Sequence, residues 1–172
     1  DVWIKGSEII TGWKLHKDNV WSIQIDNHFF NNFNPYDEIL KGDWLMNTFG
    51  RDHHLGEIYI NGEALYEIDS LNEVLSEIPL KRAVDSESSK YKWFCKLDND
   101  TTTLYANFKG LDPNIEVVEI NVRPAVFFPE RTGINYITVR GFKMAHAATQ
   151  WAPPTANQEG LVGPNWSKGW II

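Results

Sequence analysis

One cysteine in 172 residues rules out an intramolecular disulfide, and it leaves the redox compartment of the protein undetermined. In Lys92-Trp-Phe-Cys-Lys-Leu97 that cysteine, Cys95, alternates with aromatic neighbours. The alternation predicts a buried strand thiol rather than a nucleophile. Basic residues are also scarce: 16 Lys and Arg face 23 Asp and Glu, a net charge of −7. Phosphate neutralisation needs clustered cations, so nucleic acid is not expected as a partner. No apolar run approaches the roughly 18 residues of a helical membrane span, so no membrane partner is expected either. No signal-peptide pattern is present. There is no Gly-x-Ser-x-Gly, no P-loop and no Ser/His/Asp order, and Gly141 and Gly160 fit no phosphate-binding pattern. No cofactor is expected.

What is present suits a packed core: 42% hydrophobic residues, 23% charged, and no long low-complexity run. The length allows one domain, or one domain and part of another. Eight tryptophans are many for such a chain. Trp13, Trp21 and Trp93 lie in alternating runs and are read as core. Trp44, Trp151, Trp166 and Trp170 lie among Gly, Pro, Asp and Asn. An indole on a loop can stack on a sugar ring or anchor an interface, and both readings stand.

Strand signals dominate. Ile9–Leu15 and Val20–Ile25 flank Lys17-Asp-Asn19 and read as a hairpin. Asn61-Gly62, inside Ile58–Tyr66, predicts a type I′ hairpin, because both central residues need positive φ. Lys92–Leu97 and Thr103–Phe108 make a third hairpin through Asp98-Asn-Asp-Thr101. One helix is expected, capped by Ser70 with Glu73 completing a capping box. Leu71, Val74, Leu75 and Ile78 would share its buried face. The polar run Lys81–Lys90 reads as an exposed loop. Short strands at this spacing argue for a β-sandwich over residues 7–121.

Beyond Asn121 the pattern changes. Glu119–Arg123 and Tyr136–Arg140 align through their Val-Arg pairs, Trp3-Ile-Lys-Gly6 echoes Val139-Arg-Gly141, and Trp170-Ile-Ile172 repeats the type. Recurrent short apolar strands are what a solenoid rung needs. The expectation is an all-β chain: a β-sandwich inserted into an incomplete right-handed parallel β-helix. Residues 1–6 would close an early rung, 7–121 would be the sandwich, and 122–172 the first following rungs. Both ends read as strands in mid-course, so the chain is expected to be a piece of a longer protein.

The densest candidate site is Met144-Ala-His-Ala-Ala-Thr-Gln-Trp-Ala-Pro-Pro154 with the Gly160–Lys168 loop. Small residues let backbone approach a ligand, Pro153-Pro154 stiffens the loop, and His146, Trp151 and Asn165 offer contacts. The same segment could instead cover a solenoid edge. Arg51-Asp-His-His-Leu-Gly-Glu57 contains metal-ligating types but matches no zinc spacing, and no metal is expected. Asn99-Asp-Thr101 and Asn165-Trp-Ser167 fit the short glycosylation sequon. Asp37, Glu38, Asp43, Asp52 and Glu159 are available carboxylates, but nothing marks a catalytic pair, so no catalytic residue is assigned.

Asn31–Tyr36 with Gly42-Asp-Trp-Leu45, His54-Leu-Gly with Tyr59-Ile-Asn-Gly62, and Thr103–Phe108 with Gly110 and Asp112-Pro-Asn114 form a recognisable set. With Val118–Arg123, Gly141–Thr149, Trp151–Thr155 and Gly163–Ile172, they resemble the β-xylosidases of glycoside hydrolase family 120. The match is weakest over Leu71–Ser89 and most specific in the final thirty residues. The resemblance implies a parallel β-helix carrying an inserted sandwich. It also implies a tetrameric enzyme that releases xylose from xylo-oligosaccharides with retention. Its catalytic Asp and Glu would lie on later rungs beyond Ile172. Trp44, at the Gly-Asp-Trp position, would wall the sugar site, with His146, Trp151 and Asn165 as further contacts. The alternative is a non-catalytic carbohydrate-binding or oligomerisation module.

Overall fold

The computed structural model describes residues 1–42, 47–48, 50–148 and 159–172. Its strands are β1 (Val2–Lys5), β2 (Ser7–Ile9), β3 (Lys14–Lys17), β4 (Val20–Asp26), β5 (Ile58–Ile60), β6 (Glu63–Ala64), β7 (Tyr66–Glu67), β8 (Lys92–Leu97), β9 (Thr101–Asn107), β10 (Val118–Asn121) and β11 (Phe142–Ala145). Among the described residues one short α-helix, α1 (Leu71–Leu75), lies between β7 and β8, and 3-10 turns form at Asn27–Phe30 and Ser88–Lys90. The all-β class expected from strand periodicity is what the structure shows.

Two sheets face each other. One runs β2-β10-β5-β6 and the other β3-β4-β9-β8-β7, with β7 joining β8 in parallel and the remaining pairs antiparallel. Side chains alternate across each strand, so Ile25, Trp93, Cys95, Leu104 and Ala106 meet Ile58, Ile60, Val118 and Ile120 in one core. Aromatic edges fill it: Trp13 meets Phe108 at 4.8 Å and Tyr36 meets Trp93 at 5.6 Å, both T-shaped. Burial pushes the Cys95 thiol up to about 12, which makes it an inert core residue as its alternation predicts. A smaller apolar cluster, Val20, Ile68 and Val74, seats α1 on the outer face of the five-stranded sheet.

The Asn61-Gly62 turn joins β5 to β6 with φ of 52° and 85°, the positive pair a type I′ turn requires. The β8–β9 hairpin also forms, turning at Asp98 to Thr101. The Ile9–Leu15 strand does not form as one piece. Its first half is β2, paired to β10, and its second half is β3, paired to β4. The chain changes sheets between them, held by the Asn114 amide, whose Oδ1 accepts from Gly12 N and Trp13 N at 2.9 Å.

The helix is shorter than its periodicity suggests. Ser70 makes no side-chain cap to the backbone, and its Oγ instead donates to Glu73 Oε2 at 3.3 Å. Glu77 at φ 47° has left the helix, so Ile78 lies exposed rather than on the buried face. In the polar run that follows, Ser89 is fully buried, its Oγ accepting from Leu80 N at 2.7 Å.

Outside the two sheets, β1 pairs in parallel with β11, register Val2↔Phe142 to Lys5↔Ala145. Two further parallel bridges, Phe127↔Val162 and Thr138↔Ile171, lie in the same part of the chain. The Glu119–Arg123 echo of Tyr136–Arg140 does not reflect one strand type. β10 is an antiparallel strand between β2 and β5, while Thr138 bridges in parallel. Trp93, fully buried between the sheets, tests the core most directly. Trp93→Ala is expected to cost about 3–5 kcal/mol in chemical denaturation.

Candidate functional site

Gly6 links β1 to β2, and its carbonyl accepts from both Val122 N (2.8 Å) and Arg123 N (3.0 Å). No side chain fits at Gly6, because a Cβ there would lie 2.6 Å from Ala147 Cα. This tight crossing brings the residue after β11, His146, onto the outer face of the four-stranded sheet, over Tyr59 of β5 and beside Glu119 of β10.

His146 stacks on Tyr59 with ring centroids 3.8 Å apart and planes 10° from parallel. Its Nδ1 is 3.4 Å from Ser7 Oγ and 3.5 Å from Glu119 Oε2. Glu119 is buried, accepting from Lys5 Nζ at 2.6 Å and from Ser7 Oγ at 2.9 Å. Burial raises its pKa, but the Lys5 and Ser7 hydrogen bonds and the Lys5 charge outweigh it, so Glu119 sits below the usual carboxylate range. Burial also holds the His146 ring below the usual imidazole range, partly offset by Glu119. The Ser7 hydroxyl proton is already committed to Glu119. Nδ1 therefore carries the imidazole proton, and Nε2 is left as an acceptor. Burial, then the charges of Glu57 and Glu119, push the Tyr59 phenol up, so it stays a neutral platform.

Among the described residues, the one other expected site residue, Asn165, has its partner away from this centre. Asn165 spends its amide on the Pro129 carbonyl at 2.8 Å, beside a Trp166 that is 80% exposed. Trp44 and Trp151 lie outside the described residues. His53 and His54, weighed above as metal ligands, converge instead on Glu67. His54 Nδ1 is 2.6 Å from Glu67 Oε1, and His53 Nδ1 is 3.9 Å from Oε2. Among the described residues no group of three or more ligand types gathers as for a metal. Glu67, Glu119 and Tyr59 escaped sequence reasoning, since their partners are distant in the chain and no motif joins them.

Glu57 follows the two histidines and accepts from Trp93 Nε1 at 3.1 Å. Burial pushes its carboxyl up to about 8, with the Glu67 charge adding to the shift. A folded-state pKa above the unfolded value near 4.5 means the fold binds this proton more tightly than the unfolded chain does. The associated stability is complete below about pH 4.5 and is lost as pH rises toward 8. Melting temperatures from pH 5 to 8 should therefore fall less in Glu57→Gln than in the parent protein. Parallel profiles would remove the assignment.

The family model described as glycoside hydrolase 120, insertion domain, matches residues 10–120. Among solved structures the chain is similar to one described as "The complex structure of XylC with xylose". The two share 50% identity with a TM-score of 0.91, covering 99% of this chain and 28% of that one. This chain thus spans less than a third of that relative's length. The curated proteins give no match. Sheets, turns and both comparisons agree with the resemblance read from the motifs: this chain belongs to glycoside hydrolase family 120.

Proposed function

We propose that this chain is part of a retaining glycosidase that releases xylose from the non-reducing end of xylo-oligosaccharides. The observation that carries the reading is the 50% identity, over 99% of this chain, to a structure solved with xylose. In this reading residues 7–121 are the inserted sandwich. Residues 1–6 and 122–172 are rungs of a right-handed parallel β-helix, for which the parallel β1–β11 pair and the Phe127↔Val162 and Thr138↔Ile171 bridges speak.

A retaining mechanism uses two carboxyl groups about 5–5.5 Å apart, one nucleophile and one acid/base. The prominent buried carboxyl groups here are committed elsewhere: Glu119 to Lys5 and Ser7, Glu67 to His54, and Glu57 to the Trp93 indole N–H. The catalytic pair accordingly belongs to the part of the enzyme outside this chain. The contribution of this chain is the sugar site's wall. Trp44 stacks on the ring, and His146, Trp151 and Asn165 stand as further contacts. With one face on Tyr59 and Nδ1 on Glu119, His146 reaches a hydroxyl through Nε2.

The full-length protein should cleave a chromogenic β-xyloside, with the β-anomer formed first by NMR. Inversion, or a folded protein that leaves all such pentosides intact, would sink the reading. The 172-residue chain alone should show no turnover. A second reading, a sugar-binding or assembly module, draws on the exposed Trp166 and Tyr136. Xylo-oligosaccharide binding by the chain alone would favour sugar recognition. Self-association without sugar binding would favour assembly, and the full-length enzyme is proposed to be a tetramer.

A further inference from the structure

Alternation along β4, β9 and β8 sends Ile25, Leu104, Ala106, Trp93 and Cys95 into the core. The residues between them, Ser22, Gln24, Thr103, Tyr105, Phe94 and Lys96, therefore face outward from the five-stranded sheet. The β1–β11 pair docks on the outer face of the other sheet, through His146 on Tyr59 and Lys5 on Glu119. Helix α1 covers only one end of the five-stranded face. There Val20 clusters with Val74, Lys92 Nζ donates to Glu73 O at 3.3 Å, and Asn107 Nδ2 donates to Glu77 Oε1 at 2.8 Å.

Beside α1 two rows of residues cross the sheet in register. Lys14, Ser22, Tyr105 and Phe94 make one row, and Gln24, Thr103 and Lys96 make the other. Thr11, Lys14, Ser22, Gln24, Thr103 and Tyr105 line a cleft of about 640 Å³, a size that suits a small ligand. Tyr105 is its aromatic centre. His16 meets that ring edge-on with centroids 5.2 Å apart, and the Phe94 ring on β8 lies 23° from parallel to it. Gln24 Nε2 donates to Thr101 Oγ1 at 3.1 Å, which orients the amide.

Charge narrows the occupant. The chain carries seven net negative charges, yet no carboxylate lines this cleft. Ammonium groups flank the two rows, Lys14 on β3 and Lys96 on β8, strands three spacings or about 14 Å apart. Lys96 reaches Asp98 at 3.5 Å with both side chains more than half exposed, a pairing of little strength. Hydroxyl and amide groups around a half-buried tyrosine match a sugar ring, and the flanking ammoniums match an acid attached to it.

We propose that this face is a carbohydrate-binding site for xylan chains bearing uronic-acid groups. Tyr105 carries a sugar ring, Ser22, Gln24 and Thr103 meet hydroxyls, and Lys14 and Lys96 meet the carboxylate. The choice of xylan as the backbone rests on the reading of the whole protein as a xylosidase.

The test is native gel electrophoresis of the full-length protein through gels containing glucuronoxylan, or the same polymer with its carboxyl groups reduced to alcohols. Glucuronoxylan should retard the protein, the reduced polymer should retard it less, and added salt should weaken the difference. Tyr105→Ala and Lys14→Glu should each weaken the binding about fivefold or more. If Tyr105→Ala does not fold, Lys14→Glu and Gln24→Ala, both at exposed positions, carry the comparison. No retardation, retardation that these variants leave unchanged, or equal retardation by the reduced polymer overturns the proposal. A chromogenic β-xyloside assayed on the same preparation keeps the two readings apart. Cleavage without retardation overturns the binding face and leaves the xylosidase reading intact. Retardation that depends on Tyr105 and Lys14, in a folded protein that cleaves no β-xyloside, supports the face and removes the xylosidase reading.

Discussion

Taking a carboxylate out of water costs several kcal/mol unless an opposite charge and hydrogen bonds meet it. Glu119 is such a group, buried on the strand that β2 and β5 flank. Its compensation comes from a different sheet, from Lys5 on the strand paired in parallel with β11. The two sheet systems are therefore bound by a charge that cannot be left alone. If the parallel pair undocks, a buried anion loses its cation. The stack of His146 on Tyr59 and the close crossing at Gly6 are arrangements that this docking makes possible.

Local chemistry accounts for the parts of the fold that the sequence made legible. Asn61-Gly62 had to turn, because few other pairs accept two positive φ angles in succession. Trp93 and Cys95 share the inward face of β8, as alternation predicts, whereas Trp13 is buried at the crossing between β2 and β3. The split of Ile9–Leu15 was hidden, because the sheet change is held by Asn114, far along the chain. The helix stops short of its apolar periodicity for a related reason. Its apolar spacing continues to Ile78, but the backbone leaves the helical region at Glu77 and the buried Lys92 ammonium donates to the Ile78 carbonyl at 2.6 Å.

The site was legible as a neighbourhood more than as a geometry. His146 stood out because it lies among small residues after an apolar strand. Nothing adjacent in sequence announces that its ring lies on Tyr59 or that its nitrogen faces Glu119. The same holds for His53-His54, where adjacency suggested a ligand pair and the decisive partner, Glu67, sits beyond an intervening hairpin. Carboxylates set these arrangements from a distance, which is why motif spacing alone could not reveal them.

The double hydrogen bond on the Gly6 carbonyl has a wider consequence. The backbone that departs from the parallel ladder at Gly6 is back within 3.0 Å of it at Val122 and Arg123. The chain-entropy cost of closing such a loop grows only slowly with the polypeptide between, by about 0.6 kcal/mol for each doubling of its length. A layout of this kind lets evolution lengthen, trim or exchange the intervening sheets as a cassette, with the ladder on either side keeping its register.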